Sequence, residues 1–137
     1  MLQLSPDDLS QIECWQLLSP GGIGRLALTT GALPAIVPVR FEATGDNLLV
    51  CLGDRPDLAT AVDNNVVAFE ADSFLGDGDG GWSVHLNGIA RVESDSSITP
   101  ACSHSVPPLV ARISDPILTG SRYLLCDTAG ATTLSPR

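Results

Sequence analysis

The segment Ile23–Leu52, IGRLALTTGALPAIVPVRFEATGDNLLVCL, decides the fold of this chain. It contains three apolar runs rich in Val, Ile, Leu and Thr, a composition that predicts β-strands at Ile23–Thr30, Pro34–Phe41 and Asn47–Leu52. Glycine-containing turns at Gly31 and Gly45 separate the runs. Strands that follow one another through short turns, without crossover helices between them, favour an antiparallel arrangement.

The rest of the chain extends this β pattern and adds two helices. Further strands are predicted at Val66–Asp72, Trp82–Glu93, Leu109–Leu118 and Arg122–Asp127. Ser5-Pro6-Asp7-Asp8 precedes apolar residues at helical spacing and predicts an N-terminal helix over about 5–18, while Pro56–Asn64 predicts a second short helix. The sequence therefore predicts one mainly β domain, an antiparallel barrel over residues 1–137, with a disordered tail at 129–137.

Pro38 stands inside an otherwise apolar strand. Proline has no backbone N–H and leaves a gap in the hydrogen-bond ladder, so it is confined to edge strands and bulges. The strand around Pro38 is therefore expected to be an edge or to be bulged there, which leaves backbone groups available to a ligand.

Charge and length exclude several classes of function. The 137 residues carry a net charge of −9, and all seven basic residues are arginines. Of these, Arg25 is expected to pair with a carboxylate of the barrel, and Arg112 is expected to be a surface charge. A chain without a broad basic surface cannot neutralise many phosphates, so nucleic acids and anionic membranes are not expected as partners. The N-terminal residues lack a secretion signal and no apolar run is long enough to span a bilayer, which together predict a cytoplasmic protein.

No recognisable nucleophile, base or metal site is present in the sequence. His85 lies in a predicted strand and His104 in a loop, and neither stands in a Ser or Cys nucleophile motif. The four cysteines are widely spaced and are expected to be reduced, and Cys102-Ser103-His104 has no second pair of ligands to complete a zinc site. We therefore assign no catalytic side chain and no metal ligand.

A set of short motifs, weak one by one, is specific in its order and spacing. The motifs are Gly24-Arg25-Leu26-Ala27, Pro34–Phe41, Val67–Asp72, Gly81-Trp82-Ser83-Val84 with Gly88, Arg112-Ile113, and Leu118-Thr119-Gly120. Their arrangement resembles the pyridoxamine 5'-phosphate oxidase-like family of the FMN-binding split-barrel superfamily, from about Ser5 to Arg122.

The resemblance implies a six-stranded antiparallel Greek-key split barrel with short flanking helices, a homodimer, and FMN in a cleft between the two subunits. It assigns the isoalloxazine and ribityl contacts to Pro38, Val39, Arg40 and Phe41, and the phosphate contact to the loop Leu52–Asp57. Trp82 and Ser83 are implied to approach the same site from one of the subunits.

The phosphate-binding loop departs from the family pattern. The position of the usual phosphate-binding lysine falls on Asp57, a nearby threonine position falls on Leu52, and a basic position in the Trp82 strand is Asn87. An acidic residue at a phosphate site repels the ligand. Arg55 is the candidate that would replace the lysine, because a guanidinium grips phosphate with two hydrogen bonds.

The function that the resemblance implies is a flavin-dependent oxidoreductase of unidentified substrate. Two alternatives stay open at this point: a barrel that has lost FMN and serves as a binding module, and a deazaflavin-dependent reductase. Oxidation of pyridoxamine phosphate itself is not expected, because the tail Ala129–Arg137 lacks the substrate-binding Arg and His segment of those enzymes.

Overall fold

The computed structural model describes residues 2–74, 80–93 and 108–127 of the chain. These residues form eight strands: β1 Leu2–Asp8, β2 Gly22–Thr30, β3 Leu33–Thr44, β4 Asn47–Gly53, β5 Asn65–Phe74, β6 Gly81–Val92, β7 Leu109–Ser114 and β8 Ile117–Asp127. Two helices, α1 Gln11–Leu18 and α2 Pro56–Val62, complete the described part. The predicted fold class, a mainly β antiparallel barrel with short helices, is confirmed.

Six strands form the closed ring of the barrel. Their order is β6-β5-β2-β3-β4-β7, and the pairing of β6 with β7 closes it. The 12-residue β6 pairs with β5 along one edge and with two strands along the other, where Gly81–Asn87 pairs with β8 and Ala90–Val92 pairs with β7. Gly88 lies between the two halves, where a Cβ atom would come within 2.6 Å of Ile113. Strand β8 and its partner β1 thus extend the sheet outside the ring.

Alternate side chains of β2, β3, β5 and β6 point into the barrel interior, whereas β4 is buried at five consecutive residues. In β2 and β3 the inward residues include Leu26, Leu28, Val39 and Phe41, each at most 5% exposed. The rings of Phe41 and Phe69 meet edge to face, with centroids 5.1 Å apart, in the middle of this core. Successive side chains of a strand point to opposite faces of the sheet. The residues between these inward ones therefore point outward and form a separate surface.

The N-terminal helix begins later than predicted. Leu2–Asp8 is a strand paired with β8, and the helix starts at Gln11 after the N-cap residue Ser10. Ser10 and Glu13 form a reciprocal capping box, in which each side chain accepts a hydrogen bond from the backbone N–H of the other. This cap is stronger than the one expected at Ser5-Pro6, and proline is tolerated in β1 because that strand is the edge of the sheet.

The region predicted as a strand over Leu109–Leu118 is divided into two strands. Asp115 adopts a φ of 50°, and its N–H donates to the Asp46 carbonyl at 2.9 Å. Together with Pro116, this turn ends β7 at Ser114 and starts β8 at Ile117. The predicted last strand, Arg122–Asp127, is the second part of the same β8.

The cysteines differ in state. Cys14 is a free, fully buried thiol, and its burial raises its pKa. Cys51 is disulfide-bonded, which corrects the expectation of four reduced cysteines. The motif Cys102-Ser103-His104 and the tail at 129–137 lie outside the described residues.

None of the helices in residues 2–74, 80–93 and 108–127 is long and apolar enough to cross a bilayer.

Candidate functional site

The outer faces of β2, β3, β5 and β6 form the surface on which the site lies. Arg25 of β2 stands opposite Pro38 of β3 and Glu70 of β5, and Glu70 stands opposite His85 of β6. One row of outward residues therefore crosses four strands. The pairing register creates this row from residues that lie up to 60 positions apart in the chain.

Strand β3 has an unpaired edge beside this surface. Its ladder with β2 covers Leu33–Phe41, whereas its ladder with β4 covers only Arg40–Thr44. Among the described residues, the segment Leu33–Val39 therefore has a strand partner on one side alone. Pro38 lies in this segment, which confirms the prediction that its strand is an edge there. The backbone donors and acceptors along the open side are available to a ligand.

Small outward side chains make the neighbouring surface concave. Ala27 of β2 and Ala68 of β5 stand opposite each other and line a pocket of about 180 Å3. Ile36 lines the same pocket from the free segment of β3, while Glu70 and His85 contribute its polar side. Ile36 is 71% exposed. The pocket is thus mainly apolar, with ionisable groups at one side.

Arg25, Glu70 and Asp72 form a charged cluster at the edge of the pocket. The Arg25 guanidinium lies 3.5 Å from the Glu70 carboxylate and 3.3 Å from the Asp72 carboxylate. Burial, followed by the hydrogen bond and negative charge of Asp72, raises the pKa of Glu70 to about 7, although Arg25 acts in the opposite direction. Glu70 therefore exchanges a proton near neutral pH, unlike an ordinary surface carboxyl.

The loop after β4 carries the residues that the sequence resemblance links to phosphate. Arg55 donates from Nε to Asp57 Oδ1 at 3.1 Å and from Nη2 to Asp57 Oδ2 at 2.8 Å. Their hydrogen bonds raise the pKa of Arg55 and lower the pKa of Asp57. Both side chains are exposed, at 55% and 66%. The guanidinium proposed to replace the lysine is thus already engaged by the residue at the lysine position.

The predicted site residues on β3 divide between two faces. Pro38 and Arg40 point outward and are exposed, whereas Val39 and Phe41 point inward and are each 5% exposed. A contact between Val39 or Phe41 and a ligand on the outer face would therefore be made by their backbone.

The predicted residues on β6 divide in the same way. Ser83 is half-buried and shares the outer face with His85, while Trp82 is half-buried and packs against the core. The structure therefore brings Pro38, Arg40 and Ser83 to one face and places the Trp82 side chain on the opposite side of its strand.

Sequence reasoning identified some of the ion pairs and missed others. Arg25 was expected to pair with a carboxylate, which Glu70 and Asp72 confirm. Arg112 was expected to be a surface charge, and this is wrong, because it forms a half-buried ion pair with Glu93. The apolar floor of the pocket, formed by Ala27 and Ala68, was missed as well. Its signal in the sequence is an alanine at an outward position in each of two paired strands.

Comparisons with known proteins agree with this architecture. The family model for pyridoxamine 5'-phosphate oxidase matches residues 10–123. The FAD-binding protein from Mycobacterium smegmatis is 30% identical, with 89% of this chain and 98% of that chain covered and a TM-score of 0.66. No curated protein matches the sequence.

Two further solved structures share the fold at lower identity. A pyridoxamine 5'-phosphate oxidase candidate from Corynebacterium glutamicum is 22% identical with a TM-score of 0.73, and covers 89% of this chain and 96% of its own. An FAD-binding protein from Mesorhizobium loti is 20% identical with a TM-score of 0.66, and covers 88% of this chain and 98% of its own.

Proposed function

The chain belongs to the pyridoxamine 5'-phosphate oxidase family, and from this premise we propose that it is a flavin-dependent oxidoreductase. The observation that carries the proposal is the open edge of β3 at Leu33–Val39, beside a pocket with an apolar floor. An isoalloxazine is flat and apolar on its faces and carries alternating hydrogen-bond donors and acceptors along its pyrimidine edge. The open edge of β3 offers complementary C=O groups and, at residues other than Pro34 and Pro38, N–H groups.

The residues of this chain would bind and orient the ring. The backbone of Leu33–Val39 supplies hydrogen-bonding groups, and Ile36 with Ala27 and Ala68 supplies apolar contact. These residues would hold the flavin, and the redox chemistry, hydride transfer, would be that of the bound cofactor. No side chain needs to act as a nucleophile, which agrees with the absence of such a motif from the sequence.

The flavin form that the resemblance implies is FMN, while the M. smegmatis protein at 30% identity is described as binding FAD. Both molecules contain the same isoalloxazine, so the proposed contact with β3 is common to them. Arg40 and Ser83 lie on the same outer face, two residues along their strands from Pro38 and His85 respectively. Both are candidates for polar contacts to the ligand.

A homodimer belongs to the same proposal. Large apolar side chains on the outward rows of the sheet are strongly exposed: Ile36 at 71%, Val66 at 68% and Ile117 at 78%. A second copy packed on this face would cover them and complete the cleft around the ring. Size-exclusion chromatography with light scattering tests this, and a monomer at micromolar concentration would contradict it. The cytoplasmic location stays a prediction.

The visible spectrum of freshly purified protein tests the flavin proposal directly. A bound flavin absorbs at about 370 and about 450 nm because of its isoalloxazine ring. If the preparation is colourless, titration of riboflavin, FMN and FAD by flavin fluorescence determines whether a site exists. A protein that binds none of the three has lost the cofactor, and the oxidoreductase proposal fails.

A matched pair of variants tests the location of the site. Ile36→Gln removes apolar contact from the β3 edge, and Ile12→Gln makes the same change on α1; the two isoleucines are 71% and 70% exposed. We expect flavin affinity to fall about tenfold in Ile36→Gln and to stay unchanged in Ile12→Gln. Equal affinities in the two variants would place the flavin elsewhere.

A further inference from the structure

The loop Asp54–Arg55, which leads into Asp57 in the first turn of α2, begins beside the open edge of β3. Arg40 stands opposite Cys51 in the β3–β4 ladder, and β4 continues from there to Gly53. Because the strands are antiparallel, this continuation runs back toward Pro38. The loop therefore leaves the sheet where the open edge begins, within reach of a chain attached to a ring bound along that edge.

The charges of this loop are unfavourable to a doubly charged anion. Arg55 lies between Asp54 and Asp57, and Asp57 occupies both Nε and Nη2 of the guanidinium. A phosphate monoester carries a charge of about −1.5 to −2 at neutral pH. To bind the Nε–Nη2 edge of Arg55 it would have to displace the carboxylate of Asp57, and at the remaining Nη donors it would still stand next to both aspartates.

The neighbouring arginines do not compensate for these carboxylates. Arg25 already contacts Glu70 and Asp72. Arg40 is exposed and has no acidic partner among residues 2–74, 80–93 and 108–127, so it offers one positive charge. Arg40 and Arg55 together balance Asp54 and Asp57, and no net positive charge is left to offset a phosphate dianion. The net charge of −9 adds repulsion at longer range.

We infer that the Arg55–Asp57 pair makes this site discriminate against a flavin that ends in a phosphate monoester. The inference rests on the proposed flavin function and specifies its ligand class. The favoured ligand is a flavin whose ribityl end carries no phosphate, as in riboflavin. Asp57 is the specificity-determining residue, because it both neutralises Arg55 and repels the dianion.

The test measures dissociation constants for riboflavin, FMN and FAD with the full chain, by flavin fluorescence at low salt and in 500 mM NaCl. Riboflavin and FMN differ only in the phosphate, so their ratio isolates its contribution. In the wild type we expect FMN to bind several-fold more weakly than riboflavin at low salt, and the ratio to approach one in high salt as the charges are screened.

Asp57→Asn is the decisive variant, and Asp46→Asn is its matched control. Asp46 is an exposed carboxylate in the turn at the other end of β4, so the control makes the same change in net charge. Asp57→Asn frees Arg55 and removes the repulsion, and should strengthen FMN binding about tenfold while leaving riboflavin unchanged. The control should leave the ratio of the FMN and riboflavin dissociation constants at its wild-type value. Far-UV circular dichroism checks that both variants are folded.

The outcomes separate this inference from the proposed function. Wild-type protein that prefers FMN to riboflavin, or FMN binding that weakens in Asp57→Asn, would overturn the inference: Asp57 would then be aligning Arg55 to grip the phosphate, while flavin binding itself stands. A protein that binds none of the three flavins would overturn both. The inference is supported if the ratio of the FMN and riboflavin dissociation constants shifts in Asp57→Asn and stays at its wild-type value in Asp46→Asn.

Discussion

Replacement of Glu70 by glutamine should stabilise the protein at pH 8, although it removes an ion pair. Glu70 lies 3.5 Å from Arg25, yet burial and Asp72 together raise its pKa from its ordinary value of 4.5 to about 7. The ionised carboxylate is thus unfavourable in the folded state on balance. Glutamine resembles the protonated form in shape and polarity, so it avoids this cost at every pH.

The magnitude follows from the linkage between proton binding and folding. A carboxyl with a higher pKa in the folded than in the unfolded chain contributes stability that is fully present below pH 4.5. That contribution is lost as the pH rises through about 7. At 1.36 kcal/mol per pKa unit, the upper limit is about 3 kcal/mol. Because 35% of the Glu70 side chain is exposed, solvent screening reduces the expected effect to about 1 kcal/mol.

Urea unfolding at pH 4.5 and pH 8, followed by tryptophan fluorescence, measures the difference between variant and wild type. Glu70→Gln should match the wild type at pH 4.5 and exceed it by about 1 kcal/mol at pH 8. Glu42→Gln removes a carboxylate from β3 that has no ion pair among the described residues, and controls for net charge. If Glu70→Gln were less stable than the wild type at pH 8, the ion pair with Arg25 would outweigh desolvation and our reasoning would be wrong.

Two further substitutions, one of them with a matched control, test the packing of the barrel and the start of α1. Gly24→Ala places a Cβ atom 2.3 Å from the buried Phe69 ring, and should lower the free energy of unfolding by about 3 kcal/mol or more in urea titrations. Gly45→Ala meets no atom within 4 Å and should cost about 1 kcal/mol, through its positive φ alone; equal costs would refute the steric explanation. Ser10→Ala removes the hydrogen bond to the Glu13 N–H and should lower the melting temperature by an amount equivalent to about 1 kcal/mol. An unchanged melting temperature would show that the capping box does not set the start of the helix.

Part of the candidate site could be predicted from sequence because its cause is local. Proline lacks an N–H wherever it stands, so Pro38 alone indicated an edge strand, and the interrupted β3–β4 ladder confirms it. The period of two in a strand also means that Pro38, Val39, Arg40 and Phe41 cannot all present side chains to one ligand. The resemblance assigned all four to the cofactor, whereas the structure places two of the side chains in the core.

Other features depend on residues that are distant in the chain. The sequence showed an arginine in need of a carboxylate, but only the register of β2 on β5 selects Glu70 as a partner. Arg112 was expected to be a surface charge, and its partner Glu93, 19 positions away in the chain, is brought to it by the pairing of β6 with β7.

By itself, the amino-acid sequence determined the strands β2 to β6, the turns between them and the alternation of apolar residues in most of them, because propensity, glycine and proline geometry and side-chain period act within a few residues. Only the tertiary structure decided which strands close the ring, that β3 keeps an open edge at Leu33–Val39, and that Glu70 titrates near neutral pH. Strand register and desolvation are set by neighbours from other parts of the chain, and no local pattern encodes them.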